Sequence, residues 1–319
     1  MNHSHTYHRH RHHRRKKLWI RWLIALIVAF ILVDIAIVYK MYTDANRQIT
    51  SAYKSAPHNN LRSNGVDFSK GQPFSVLLLG ADTGDYGRTY QGRSDSIMVA
   101  GVSKSKTTLV SVPRDTLVQI PGHPGNSKIN AAYAYGGVTG SINTLQNYLD
   151  VPVDKYIELN LRGLKQLSHI IGPVTVNNDL KYTYLNKTFN KGKISIDENN
   201  VLAYTGMRKE DPRGDYGRQL RQRKVLTAMV KKIASVRSIM KYRSILEVMS
   251  ANMKTDLTFN ELKQIFANYK DATHIKQLQL RGKGQMIHQL SYEVVSTQEK
   301  TRVQNQLKKT LKLPVQNSK

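Results

Sequence analysis

The feature that most limits what this chain can fold into is the run Trp22–Tyr39, WLIALIVAFILVDIAIVY, eighteen residues with one charge, Asp34. Counted from Leu18 it is about 33 Å long as a helix at roughly 1.5 Å per residue, enough to cross a bilayer. Trp19, Trp22, Tyr39 and Tyr42 stand where interfacial aromatics belong, and Arg21 can reach the headgroups. Asp34 lies off-centre, below the cost of about 2.5–3.5 kcal/mol that a mid-bilayer acid carries. A cleaved signal peptide would have a shorter apolar region followed by a small-x-small site, and no such site follows here. The run therefore reads as an uncleaved anchor. Residues 1–17 hold six His and six Arg/Lys without an acid. A His tract can bind metal, but no second ligand cluster is near, so the tail reads as a solvated segment. Its basic flank keeps the N-terminus cytoplasmic and places everything after Tyr42 outside. The expected order is a tail (1–17), a transmembrane helix (18–42) and a polar extracellular segment (43–72), which reads either as a linker or as an extension of the helix.

Across 319 residues there is no cysteine, which excludes disulfides, a thiolate nucleophile and cysteine-ligated metal sites. The formal charge of +27 points to an anionic partner: nucleic acid, anionic lipid or a phosphorylated substrate. Much of it sits in residues 205–245, with twelve Arg/Lys against three acids. A nucleic-acid-binding regulator is opposed by the topology, and no helix-turn-helix or RNA-binding motif is present.

From residue 74 short apolar runs alternate with helical patterns. FSVLLLG (74–80), DSIMVAGVS (95–103), TTLVSVPRD (107–115), YIELN (156–160) and PVTVNN (173–178) read as strands, and 128–137, 141–149, 161–171, 197–208 and 217–236 as helices. Such mixing gives an α/β or α+β sandwich. The expected catalytic domain covers 73–240. Residues 241–319 are expected as a helical extension packed on it, with a strand-like pair near 275–295.

Four segments can carry chemistry. Asp82 follows the first strand, where ligands bind in open α/β sheets, although an Asx-turn residue would look the same. Arg93 and Asp95 share a face if Arg93-Ser94-Asp95 is extended; they make either an ion pair or, with Asp82, a Mg²⁺ site bridged to phosphate. Arg114 leaves a strand ended by Pro113 and suits a phosphate clamp. The helix opening GDYGRQLRQRKV (214–225) has an apolar stripe, Leu226, Met229, Val230 and Ile233, that continues upstream onto Gln222 and Arg218, with Arg221 at its border. Cations on a core-facing stripe need partners, either Asp211 and Asp215 or an anion at the helix N-terminus, within reach of Arg208. Nucleotide-loop, nucleophile-elbow and HExxH motifs are absent.

LLLGADTGD (77–85), GRSDSIMV (92–99), SVPRDTLVQIPG (111–122), KINAAYAYGG (128–137), VPVDKYIELN (151–160) and GDYGRQLRQRKV (214–225) together resemble the LytR–CpsA–Psr family, over roughly 73–237. The resemblance implies a three-layer α–β–α sandwich and a membrane-anchored phosphotransferase. Such an enzyme moves a wall teichoic acid or capsular polysaccharide from undecaprenyl pyrophosphate to peptidoglycan, forming a phosphodiester. It also implies Mg²⁺ (or Mn²⁺) at Asp82 and Asp95, catalysis with Arg114, and pyrophosphate contacts from Arg93, Arg114, Arg208, Arg218 and Gln222, with Arg221 or Arg213 as further guanidiniums. Gly206 departs from the pattern, standing where the family usually has the first arginine of Arg-x-Arg. A non-catalytic lipid-linked polymer binder and a pyrophosphatase are the other readings of such a site.

Overall fold

The computed structural model describes residues 11–59, 61–62, 64–81, 92–233 and 242–315, with backbone alone for 11–29, 242, 243, 246 and 249. Asp82 and most of the His-rich tail lie outside the described residues. The chain forms two units, residues 1–47 and 48–319.

In chain order the helices are α1 (Arg11–Ala52), α2 (Ala131–Leu149), α3 (Leu161–Ile171), α4 (Val201–Gly206), α5 (Asp215–Ile233), α6 (Tyr242–Asn252), α7 (Phe259–Asn268) and α8 (Thr297–Leu311). The strands are β1 (Phe74–Ala81), β2 (Ser94–Val102), β3 (Thr107–Val112), β4 (Leu117–Gln119), β5 (Asn126–Lys128), β6 (Lys155–Leu159) and β7 (Val174–Asn178). They continue as β8 (Tyr182–Tyr184), β9 (Lys187–Phe189), β10 (Gly192–Ile196), β11 (Met253–Thr255), β12 (Ile275–Gln279), β13 (Lys283–Ile287) and β14 (Leu290–Val294).

In the N-terminal unit the expected span 18–42 is helical throughout, and Phe30–Tyr39 presents a run of exposed apolar side chains. Among the described residues no helix is long and apolar enough to cross a membrane.

The larger unit is an α/β fold on a six-stranded sheet of order β11-β6-β1-β2-β3-β12. The apolar run that marks β1 is buried on both faces, as a central strand requires. Leu77, Leu79, Val99 and Val110 pack under α2 and α8 through Ile142, Leu145, Val303 and Leu307. On the opposite face Phe74 and Val76 meet Leu262 and Ile265 of α7, while Met98, Ala100 and Leu109 meet Leu226 of α5. The two helices expected over 128–149 are one element with a break at Gly136–Gly137, where Gly137 takes a φ of 60°.

Two expected boundaries are corrected. Residues 241–319 carry the expected helices and strands but are no mere extension: β11 pairs antiparallel with β6 and β12 pairs parallel with β3, so this region supplies both outer strands of the sheet. Residues 43–72 begin as an extension of the helix, one of their two readings, and the rest is tied to the fold. The helix runs on to Ala52, Lys54 N–H donates to the Thr255 carbonyl at 2.8 Å, Arg62 donates to Asp154 at 2.7 Å, and Phe68 is buried edge-on against Phe74. A polar segment can be fixed by a few such anchors without any apolar periodicity.

Candidate active site

The site is built on α5. The stripe Val225, Leu226, Met229, Val230 and Ile233 lines an apolar cavity of about 440 Å³, closed by Leu78 and Met98 of the sheet, Leu164 and Leu167 of α3, and Leu202 of α4. The same stripe, one and two turns earlier, places Gln222 and Arg218 in that wall, where Asp95 and Ser96 of β2 also stand. The stripe read from the sequence thus passes from apolar side chains onto Gln222 and Arg218 within one cavity wall.

At that end a second cavity, about 340 Å³, is lined by Arg114, Tyr184, Gly206, Arg208, Lys209 and Arg218. Tyr184, Gly206 and Arg218 line both. Pro113 ends the ladder of β3, and the turn releases Arg114, whose Nη1 donates to Asp95 Oδ1 at 2.6 Å. Arg218 Nη2 donates to the Asp95 carbonyl at 3.0 Å and lies 2.7 Å from Asp215 Oδ1. Asp215 opens α5, where the helix dipole favours an acid. Burial opposes both guanidinium charges. At Arg114 the hydrogen bond and charge of Asp95 outweigh it and hold the group above its usual range. At Arg218 burial wins, Arg114 and Arg208 add repulsion, and the pKa is lowered. Arg114 Nε, Arg218 Nε and Gln222 Oε1 are buried without a hydrogen-bond partner. Arg218 and Gln222 stand in a cavity wall, so these open atoms can be met by a group that enters there.

The other expected residues fall elsewhere. Arg93 is exposed at the start of β2 and lines neither cavity. Arg221 is a correction. It is fully buried on a neighbouring face of α5, with Nη1 donating to Asp211 at 2.5 Å, Nε to the Tyr204 carbonyl at 3.0 Å, Nη2 to the Met207 carbonyl, and its Cζ over the Tyr182 ring. Gly217 makes this possible: a Cβ there would lie 1.9 Å from Asp211 Oδ2, so only glycine lets that carboxylate seat against the helix. Arg213 is likewise bound to Asp211 and Asp179. Arg213 and Arg221 thus close an internal ion network and leave the cavities to other cations.

Lys209 and Tyr184 were missed from sequence. Tyr184 precedes a two-residue β8–β9 turn, Leu185–Asn186, with φ of 48° and 57°. That turn type usually announces itself as Asn-Gly, and here it does not. For Lys209 the only signal was its position next to Arg208.

Among the described residues no group of three or more His, Asp or Glu could hold a metal by itself. Asp95 has half its side chain exposed and offers one carboxylate beside the basic cavity. That donor set fits a hard divalent cation shared with substrate phosphates, and no all-protein cage.

The sequence profile of the LytR_cpsA_psr family matches residues 35–309. The chain belongs to this family. It is 43% identical over 292 residues to the polyisoprenyl-teichoic acid–peptidoglycan teichoic acid transferase TagU of Enterococcus faecalis, covering 91% of this chain and 96% of that one. The crystal structure of Bacillus subtilis TagU superposes with a TM-score of 0.61 at 35% identity, over 77% of this chain and all of that chain. A structure of TagT bound to LIIa-WTA gives a TM-score of 0.67 at 27% identity, over 80% and 97% of the two chains. The family thus reaches beyond the motifs to the outer strands β11 and β12.

Proposed function

We propose that this protein transfers a teichoic-acid-type glycopolymer from a polyprenyl-pyrophosphate carrier to peptidoglycan. One observation carries the reading: a cationic cavity and an apolar cavity share a wall, the shape of an amphiphile with a diphosphate head and a prenyl tail. The 43% identity to a transferase of that name agrees with it. Helices on both faces of the sheet support a three-layer α–β–α sandwich.

In the reaction an acceptor sugar hydroxyl attacks the polymer-side phosphorus. The new O–P bond forms, the bridging P–O bond breaks, and the polyprenyl monophosphate leaves with the electron pair. Arg114, Arg208, Arg218 and Gln222 hold the phosphate oxygens, and their charge is worth most where water is excluded and negative charge moves onto the leaving oxygen. Asp95 fixes Arg114 and, with Asp82, offers carboxylate oxygen to Mg²⁺ or Mn²⁺ or to the departing hydroxyl proton. A bound divalent ion would neutralise phosphate charge. A capsular polymer is the other cargo this chemistry admits.

We also propose that residues 18–42 anchor the protein, with residues 1–17 cytoplasmic and the 48–319 unit outside. The exposed apolar surface of Phe30–Tyr39 and the basic flank support this.

Arg114→Ala, assayed for polymer transfer from a lipid-pyrophosphate donor, is expected to lose about 10²–10³ of kcat/KM. Undiminished transfer disposes of the clamp. Gly206 favours one rival, a binder that retains the lipid-linked polymer without turnover, and phosphodiester product from the unmodified protein excludes it.

A further inference from the structure

Gly206 and Lys209 face the same basic cavity, and neither belongs to the set assigned above. Gly206 ends α4 in ordinary backbone geometry, outside the positive-φ glycines. A Cβ built on it would touch only Tyr184 Cε1, at 3.7 Å, an ordinary contact. Neither backbone nor packing demands glycine here, and the space beside it opens on the cavity.

The charges around that space are unequal in their commitments. Arg114 is held by Asp95 and Asp115, and Arg218 by Asp215. Arg208 and Lys209 make no side-chain hydrogen bond or ion pair with any described residue. Two cations are therefore without a compensating partner among the described residues, in a cavity whose proposed ligand, a diphosphate diester, carries two negative charges. We infer that Lys209 is a diphosphate-binding residue of this protein, occupying with Arg208 the charge-matching role that the missing side chain at 206 leaves open. The inference rests on the diphosphate-transfer reading of the site.

The test measures steady-state transfer from a short-chain lipid-pyrophosphate donor, with folding checked by thermal melting. Lys209→Gln is expected to lower kcat/KM about ten- to a hundredfold, the span of one charge-assisted hydrogen bond. Lys209→Arg should restore it. Adding Gly206→Arg to the Lys209→Gln protein should also recover activity, because a guanidinium from 206 enters the same cavity, and no purely structural role of Lys209 predicts that rescue. Wild-type kinetics in Lys209→Gln, or a loss that Lys209→Arg leaves unrepaired, overturns the inference. A double variant no better than Lys209→Gln overturns the sharing of one role by positions 206 and 209. Arg114→Ala run in parallel separates the two levels. If it loses transfer while Lys209→Gln does not, the site stands and the Lys209 assignment falls. If neither loses transfer, the site reading itself falls.

Discussion

Helix α5 buries two arginines three residues apart that differ in almost everything but burial. Arg221 has no exposed surface, and its donors end on Asp211 and two backbone carbonyls. Arg218 is 8% exposed, yet its Nε is unpartnered, its charge is disfavoured by burial, and its side chain borders two cavities. What separates the two is place: Arg221 spends its donors inside the scaffold, whereas Arg218 stands in the wall of both cavities. Open donors alone do not decide, since Arg223 on the same helix is buried with Nε and Nη1 unpartnered and lines neither cavity. Burial alone does not distinguish them, and neither does sequence spacing.

The sharpest way to break the comparison is to remove each side chain in turn. Arg221→Met is expected to destabilise the fold by about 3 kcal/mol in urea unfolding, because buried Asp211 loses one of its two guanidinium partners and the Tyr204 and Met207 carbonyls lose their donors. Arg218→Met should keep stability within about 1 kcal/mol while transfer falls about 10²–10³. Equal stability losses in the two variants would erase the distinction.

Acid should act on the scaffold side. Burial raises the pKa of Asp211, but hydrogen bonds from Arg213 and Arg221 overcome this and bring it down to about 2 from an ordinary 3.8. A depressed carboxylate stabilises the fold above its ordinary pKa, and the contribution disappears as pH falls through the folded value. Some 2 kcal/mol should be lost between about pH 4 and pH 2. Urea titrations across that range check it, and Arg213→Gln should narrow the window. A flat profile would show that the network carries no linkage.

The smallest effect concerns the far end of the Arg218 stripe. Val230→Trp, on the cavity wall, should raise KM for a long prenyl donor about tenfold and leave a donor with a short alkyl tail unchanged. Equal changes for both donors would mean that the tail lies elsewhere.

These contrasts also mark what the chain discloses before folding. The positions of Arg218 and Gln222 were legible because an apolar stripe repeats at helical period and can be projected upstream. Arg221 lies about 60° from Arg218 around the helix, at 100° per residue. Whether it borders the cavity or turns away depends on where Asp211 seats, which Gly217 decides and periodicity does not record. The central strands were legible as apolar runs. Of the outer strands, Met253–Thr255 is too short to form a pattern; β12 falls within the strand-like pair expected near 275–295, but IKQLQ mixes polar and apolar residues, and nothing in it tells that it borders β3. Residues 43–72 read as linker because their anchors, Ala52, Arg62 and Phe68, are isolated contacts in a polar context.

The sheet order has a consequence for synthesis. A nascent chain of 250 residues already contains every cavity side chain named here, from Leu78 to Ile233, yet it lacks both borders of the platform on which they are arranged. Premature termination after Ile233 and before Met253 should therefore yield a polypeptide with a full complement of reactive groups and no assembled place for them to work.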